Sequence, residues 1–276
     1  MTATVPYALA SRNDHPHDSV VRVGGVPVGG RRFTVIAGPC AVEGPEQLFS
    51  AAEAVKVHGG HILRGGAFKP RSSPYAFQGL GMDALVLLRE ASARTGLPVV
   101  SEILQAADLE RMTPYVDAFQ VGARNMQNSP LLMALGRQPL PVLLKRGPAA
   151  TVEEFLLAAE YVVAGGNEQV ILCERGIRTF ETATRNTLDL NGVAWLKRRT
   201  HFPVIVDPSH GTGRRELVTP LSRAAVAVGA DGLMVEIHHA PETALSDGIQ
   251  SLAFPDFDRL MAAIAPFAEA AGRVLT

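Results

Sequence analysis

The chain has 276 residues, 47% of them hydrophobic and 19% charged, with a formal net charge of −1. That length fits one α/β barrel of about 250 residues, and the charged fraction lies below the usual ~25%, as expected of strands buried on both faces. The near-neutral balance argues against general nucleic-acid or membrane-surface binding, and no apolar run reaches the ~18 residues of a membrane span.

In chain order, the opening "MTATVPYALASRNDHPHDS" lacks the basic region and apolar stretch of a signal peptide. The two cysteines, Cys40 and Cys173, are far apart. They form no disulfide framework and suit a reducing cytoplasm. Residues 1–31 read as a tail with a short hairpin in "VRVGGVPVGG". No helix opens after those glycines, so they are not a dinucleotide fingerprint.

From residue 32 short β-branched runs alternate with helical periodicity. Strands are predicted at 33–37, 61–64, 97–101, 117–121, 141–145, 169–173, 202–206 and 231–236. Helices are predicted over 46–57, 82–94, 106–112, 130–135, 152–163, 192–199, 215–228 and 256–271. Nearly continuous apolar strands alternating with amphipathic helices signal a parallel sheet covered on both faces. Eight such units predict a single-domain (β/α)₈ TIM barrel over residues 32–276, with an open doubly wound sheet as the runner-up.

Barrel enzymes build their sites at the C-terminal strand ends. Cys40 follows the first strand; Arg64 ends the second, and its loop carries Lys69 and Arg71. Glu102 follows the third, Arg124 the fourth, and Lys145 with Arg146 ends the fifth. Arg175, Arg178 and Arg185 follow the sixth, Asp207 and His210 the seventh; Glu236 ends the eighth, with Asp247 beyond. Arg64, Arg124, Lys145 and Arg175 would repel one another at one mouth unless an anion joined them. The bland alternative is a structural network with Glu102, Glu174 and Glu181.

Strands one, seven and eight are neighbours in a closed barrel. Cys40, His210, Glu236 and Asp247 therefore form a candidate mixed site, better suited to Mn²⁺, Fe²⁺, Co²⁺ or Zn²⁺ than to Mg²⁺. Cys173 reads as a small buried hydrophobe. His58 and His61 read as structural, and His238 and His239 are not counted as ligands.

The stretches "AGPCAVE", "LRGGAFKPRSSPYAFQGLG", "QVGARNMQNSPLL", "VLLKRG", "ILCERGIRTFE", "TRNTLDL", "VDPSHGTGRR", "ADGLMVEIH" and "ALSDGIQSL" together resemble a known family. It is the metal-dependent 3-deoxy-D-arabino-heptulosonate 7-phosphate (DAHP) synthases, in the type I beta subgroup that shares ancestry with 3-deoxy-D-manno-octulosonate 8-phosphate (KDO8P) synthase. The match runs in order from Phe33 to Leu252. The resemblance implies a barrel that condenses phosphoenolpyruvate with erythrose 4-phosphate, the first step of the shikimate pathway. It implies Cys40, His210, Glu236 and Asp247 as metal ligands. It gives Arg64, Lys69, Arg124, Lys145 and Arg175 to phosphoenolpyruvate, and Arg71 and Ser72 to the aldose phosphate. Asp207 is grouped with the substrate-binding residues, and Lys69, Cys40 and His210 with the catalytic ones.

Lys-Pro-Arg stands at residues 69–71 where the octulosonate enzymes have Lys-Ala-Asn-Arg, which points to the four-carbon aldose. The resemblance further implies a cytoplasmic homo-oligomer, tetramer or dimer. With about thirty residues ahead of the barrel, no intrinsic feedback inhibition is expected, and control is left to a separate partner. The alternatives are KDO8P synthase using arabinose 5-phosphate, a Schiff-base aldolase using Lys145 or Lys69, and a non-catalytic barrel that binds phosphometabolites.

Overall fold

A computed structural model describes residues 6–70 and 73–275. Arg71 and Ser72 lie outside the described residues. The chain opens with a hairpin, β1 (Val21–Val23) and β2 (Val26–Val28), paired antiparallel. Its two-residue turn is Gly24 and Gly25, at φ 52° and 89°, the left-handed backbone that a tight hairpin turn requires and that glycine adopts without strain.

The barrel strands are β3 (Thr34–Gly38), β4 (Ile62–Arg64), β5 (Val99–Ile103), β6 (Ala118–Val121), β7 (Val142–Lys145), β8 (Val170–Glu174), β9 (Val204–Val206) and β10 (Gly232–Glu236). Among the described residues they close in the order β10-β3-β4-β5-β6-β7-β8-β9, all parallel. The helices are α1 (Pro45–Val57), α2 (Met82–Thr95), α3 (Leu109–Met112), α4 (Ser129–Leu135), α5 (Val152–Ala164), α6 (Leu190–Arg199), α7 (Pro208–Thr212), α8 (Arg215–Ala227) and α9 (Phe254–Ala270). None is long and apolar enough to cross a membrane.

Alternation along the strands divides the buried residues into two cores. Outward residues such as Val35, Leu63, Phe119, Leu144 and Val206 pack against the helices. Inward residues Ile36, Ile62, Val100, Ala118, Leu143, Ile171, Ile205 and Met234 fill the barrel and meet Val21, Val23 and Val28 of the hairpin. The hairpin thus closes the N-terminal end of the barrel. Thr34 Oγ1 donates to Pro27 O at 2.8 Å and fastens it there.

Side chains repeat with period two along a strand. Two residues beyond the apolar inner layer therefore come Gly38, Arg64, Glu102, Gln120, Lys145, Cys173, Asp207 and Glu236, pointing the same way. Apart from Gly38 and Cys173 this second layer is polar or charged, and it forms the floor of the C-terminal mouth. A Cβ at Gly38 would stand 2.0 Å from the Arg64 carbonyl oxygen, so glycine there lets β3 and β4 approach.

Several expected boundaries moved. Glu102 lies inside β5 and Glu174 inside β8, not beyond them. The helix expected over 106–112 is a 3₁₀ turn followed by the four-residue α3. Pro114 sits in a second 3₁₀ turn immediately after, where its fixed φ and missing N–H prevent the helix from continuing. Helix α7 was not expected. It is five residues long, with Asp207 as N-cap, Pro208 at its first turn and Gly213 closing it at φ 67°.

Candidate metal centre and anion pocket

Four side chains meet at the mouth. Cys40 comes from the β3 exit, His210 from α7, Glu236 from the end of β10 and Asp247 from the loop after it. Their ligand atoms all lie within 4.8 Å of one another. Cys40 Sγ is 3.0 Å from Asp247 Oδ2, and His210 Nε2 is 3.3 Å from Glu236 Oε1.

The surrounding groups fix how these donors are presented. Asp207 Oδ2 accepts from His210 Nδ1 at 2.7 Å, and its Oδ1 accepts the His210 backbone N–H at 2.9 Å. With Nδ1 as donor, the Nε2 lone pair faces the cluster, the arrangement that orients metal-binding imidazoles. Arg64 Nη1 donates to Glu236 Oε1 at 2.5 Å. Asp247 has φ 55° and, among the described residues, is the one non-glycine with positive φ. Such strain persists only where surrounding structure imposes it.

Protonation states suit a cation. Burial, with the charges of Glu236 and Asp247, pushes the Cys40 thiol up to about 12; it stays protonated until a cation displaces the proton. Burial lowers His210 despite Asp207 and Glu236 beside it, leaving a neutral ring. Burial works against ionising Glu236 and Asp247, yet His210 and the nearby cations hold both below the usual carboxylate range. A soft sulfur, a borderline nitrogen and two hard oxygens fit a borderline divalent ion.

Beside the cluster opens a cavity of about 440 Å³, lined by Arg64, Lys69, Arg124, Lys145, Arg175 and also Arg178 and Arg185. Lys69 Nζ donates to Cys40 Sγ at 3.0 Å and to Cys40 O at 3.3 Å. Burial would lower its pKa, but the nearby carboxylates Glu102 and Glu236 work against this and it is raised on balance, so the amine is charged. Lys145 Nζ is paired with Asp207 Oδ2 at 2.6 Å. Arg175 is 8% exposed, yet among the described residues its one hydrogen bond runs to the Gly176 carbonyl at 3.4 Å. Arg64 Nε is buried with no partner among the described residues. Arg64 still has Glu236 as its counter-charge; Arg175 has none in an ion pair among the described residues, and a buried cation in that state is costly unless a ligand supplies one.

The alternative, a structural network of these cations with Glu102, Glu174 and Glu181, does not form among the described residues. Glu174 faces outward and pairs with Arg146 at 2.9 Å, and Arg146 also holds Asp189 at 2.7 Å. Glu181 accepts from the backbone N–H groups of Thr182 and Ala183. Glu102 Oε2 accepts from Gln120 Nε2 at 3.4 Å. Asp207 lies behind the pocket, wholly buried, with its oxygens engaged by Lys145 and His210. Cys173 is buried in the inner core, His61 bridges Val35 N and Leu275 O, and His238 faces Glu43. The residues that sequence reasoning passed over are Gln120 and Gln250. Neither titrates, and Gln250 stands inside the quoted "ALSDGIQSL".

Fold and site together define a class: a (β/α)₈ barrel with a Cys-His-Glu-Asp cluster beside a cation-lined pocket for anionic substrates. Residues 18–269 match the DAHP synthetase I family, and the chain belongs to that family. It is 54% identical to the phospho-2-dehydro-3-deoxyheptonate aldolase of Thermotoga maritima, over 97% of this chain and 79% of that one. It is 31% identical to the 2-dehydro-3-deoxyphosphooctonate aldolase of Geobacter sulfurreducens, over 87% of this chain and 94% of that one. The crystal structure of the Thermotoga enzyme superposes with a TM-score of 0.95 at 53% identity, over 98% of this chain and 79% of that one. A truncated form of the Thermotoga synthase gives a TM-score of 0.90 at 50% identity, over 97% and 98% of the two chains.

Proposed function

We infer that the chain is a DAHP synthase, joining phosphoenolpyruvate to erythrose 4-phosphate with release of phosphate at the head of the shikimate pathway. The observation that carries this reading is the meeting, at one barrel mouth, of the Cys40–His210–Glu236–Asp247 cluster and a pocket whose buried Arg175 has no carboxylate partner among the described residues. Phosphoenolpyruvate brings a carboxylate and a phosphate; the aldose brings a second phosphate. The four-carbon aldose is favoured over arabinose 5-phosphate by Pro70 between Lys69 and Arg71, and by the higher identity to the heptonate enzyme than to the octonate enzyme.

In the reaction, C3 of phosphoenolpyruvate forms a bond to the aldehyde carbon. Water adds at C2, and the C2–O bond to phosphate breaks. Arg64, Lys69, Arg124, Lys145 and Arg175 offset the mutual repulsion of the substrates and hold them in attack geometry, which can lower the barrier by roughly 7–11 kcal/mol. Cys40, His210, Glu236 and Asp247 would hold Mn²⁺, Fe²⁺, Co²⁺ or Zn²⁺, which when bound supplies Lewis acidity toward the aldehyde oxygen. Asp207 acts from behind, orienting His210 and Lys145. Lys69, charged beside Glu102, donates a proton to the aldehyde oxygen as the new C–C bond pushes the carbonyl electron pair onto it, making the hydroxyl. A Lys69→Met enzyme that loses substrate binding but turns over bound substrate normally would refute that role. The same charge, and the ion pair of Lys145 with Asp207, disfavour a Schiff-base mechanism. The reading also makes the protein a cytoplasmic homo-oligomer.

The test uses purified, metal-stripped protein with phosphoenolpyruvate and erythrose 4-phosphate. Mn²⁺ is added and the enol-pyruvate absorbance followed. Loss of absorbance that needs both metal and erythrose 4-phosphate, and does not occur with arabinose 5-phosphate, is expected. No loss with either aldose in any divalent metal would leave a phosphometabolite-binding barrel.

A further inference from the structure

One hydrogen-bonded path joins the two carboxylates of the cluster from behind. Arg185 Nη1 donates to Asp247 Oδ1 at 3.1 Å and to Gln250 Oε1 at 2.8 Å. The other end of that amide, Gln250 Nε2, donates to Glu236 Oε2 at 2.6 Å. The amide cannot be turned over: reversed, it would set its oxygen against the Glu236 carboxylate and its N–H groups against the guanidinium.

The path occupies one oxygen of each carboxylate and turns the other toward the cluster; on Glu236 that second oxygen, Oε1, is also held by Arg64 Nη1 at 2.5 Å. Asp247 gives Oδ1 to Arg185 while its Oδ2 faces Cys40 Sγ at 3.0 Å. Glu236 gives Oε2 to Gln250 while its Oε1 faces His210 Nε2 at 3.3 Å. The path is itself held in place. Gln250 is 2% exposed, on the 3₁₀ turn Gly248–Gln250 that starts from Asp247. Arg185 N donates to Thr212 O at 2.9 Å, the last residue of the helix that carries His210. A Cβ at the adjoining Gly213 would stand 2.5 Å from Arg185 Cβ.

We propose that Arg185 and Gln250 form a positioning relay that makes Asp247 and Glu236 each present a single oxygen to the divalent cation. The proposal rests on the reading of Cys40, His210, Glu236 and Asp247 as that cation's site. Two effects of Arg185 oppose each other. Its positive charge disfavours a cation nearby, so its removal on electrostatic grounds alone would tighten metal binding. Its bridge stops two like-charged carboxylates from swinging apart, so its removal on positional grounds weakens binding. At 39% exposure its charge is partly screened, and the positional effect wins.

Metal-stripped full-length protein is titrated with Co²⁺ and followed by its ligand-field and sulfur-to-cobalt charge-transfer absorption. Wild type is expected to bind one Co²⁺ with a thiolate band. Arg185→Ala and Gln250→Leu are each expected to weaken Co²⁺ binding about 10- to 100-fold, the usual cost of losing a group that orients a ligand, and to change the ligand-field pattern. The double variant should be little worse than the weaker single variant, because either change opens the same path. Arg185→Lys should regain part of the loss. Arg185 is half-exposed, so its Ala variant folds and decides the matter even if Gln250→Leu is unstable. Equal or tighter Co²⁺ binding by Arg185→Ala, with the wild-type spectrum, overturns the relay. Fully additive losses in the double variant overturn it as a unit. Wild type without a thiolate–cobalt band overturns the metal reading itself, a different result from failure of the relay alone.

Discussion

The floor and the rim of the barrel mouth use charge in opposite ways. On the floor, Arg64 is paired with Glu236, and Lys145 with Asp207, which also holds His210; all but His210 are buried almost completely. These pairs form as the chain folds, so the donor atoms are in place before any ligand arrives. On the rim, Arg124 is exposed and, among the described residues, reaches only the Pro70 carbonyl, at 3.4 Å. Arg178 is also exposed and lines the same cavity. Rim cations are left for the substrate to neutralise. Preorganisation below and unsatisfied charge above together make a site that is rigid where bonds change and receptive where anions enter.

The largest effect that tests this contrast is at the cluster. Cys40→Ala should lower turnover about a thousandfold or more, since Lewis-acid polarisation is worth several kcal/mol. A chelator should do the same to wild type, and added Mn²⁺ should restore wild type but not the variant. Steady-state assays over a metal series check this; a variant with near-normal turnover would place the cation elsewhere.

Next in size is Asp207→Asn. The shape is kept, but Lys145 becomes a buried cation without its partner, which should destabilise the fold by about 3–5 kcal/mol. The amide can also leave His210 in the wrong tautomer. Urea unfolding measures the first effect and metal affinity the second. A loss under about 1 kcal/mol would show that the floor is not built on this pair.

The barrel itself was legible because buried parallel strands carry near-continuous apolar runs, such as "PVLLK" and "QVILC", at barrel spacing. The clustering of Cys40, His210, Glu236 and Asp247 was legible because strand order in a closed barrel brings the first and last strands together. What could not be read was phase. Lys145 and Arg146 are adjacent, yet one points into the mouth and the other outward to Glu174 and Asp189. A sequence shows a period of two but not which of two neighbours faces in. Partner choice was hidden too, because Arg64 and Glu236 are 172 residues apart, and only closure of the barrel brings them into contact. Helix α7 escaped notice because five residues carry too little periodicity to register.

At the rim, Arg124→Ala should raise the KM for phosphoenolpyruvate about 10- to 100-fold, the scale of a charge-assisted hydrogen bond of roughly 1.5–3 kcal/mol. Stability should stay within about 0.5 kcal/mol of wild type, as for exposed side chains generally. A variant that melts early with an unchanged KM would reverse the assignment of floor and rim.

The smallest expected effect lies at the far end of the barrel, where a polar group serves the fold alone. His61 Nδ1 accepts from the Val35 N–H at 2.9 Å, and Nε2 donates to Leu275 O at 2.5 Å. That pattern requires a neutral ring, because a protonated Nδ1 would set one N–H against another. Burial, aided by Arg32, holds the His61 pKa below its ordinary 6.5. The unfolded chain therefore takes up a proton near pH 6.5 that the folded chain refuses. The stabilisation from His61 is complete above that pH and declines as pH falls through the window below it. His201, lowered chiefly by burial, adds a contribution of the same sign. Urea unfolding of wild type should weaken by roughly 1 kcal/mol between neutral and mildly acid pH, the scale of one net hydrogen bond. His61→Gln should remove part of that slope while leaving turnover at pH 7 intact. An unaltered slope in the variant would transfer the pH dependence to His201 or to the mouth, and lost turnover would mean that the two ends of the barrel are not independent.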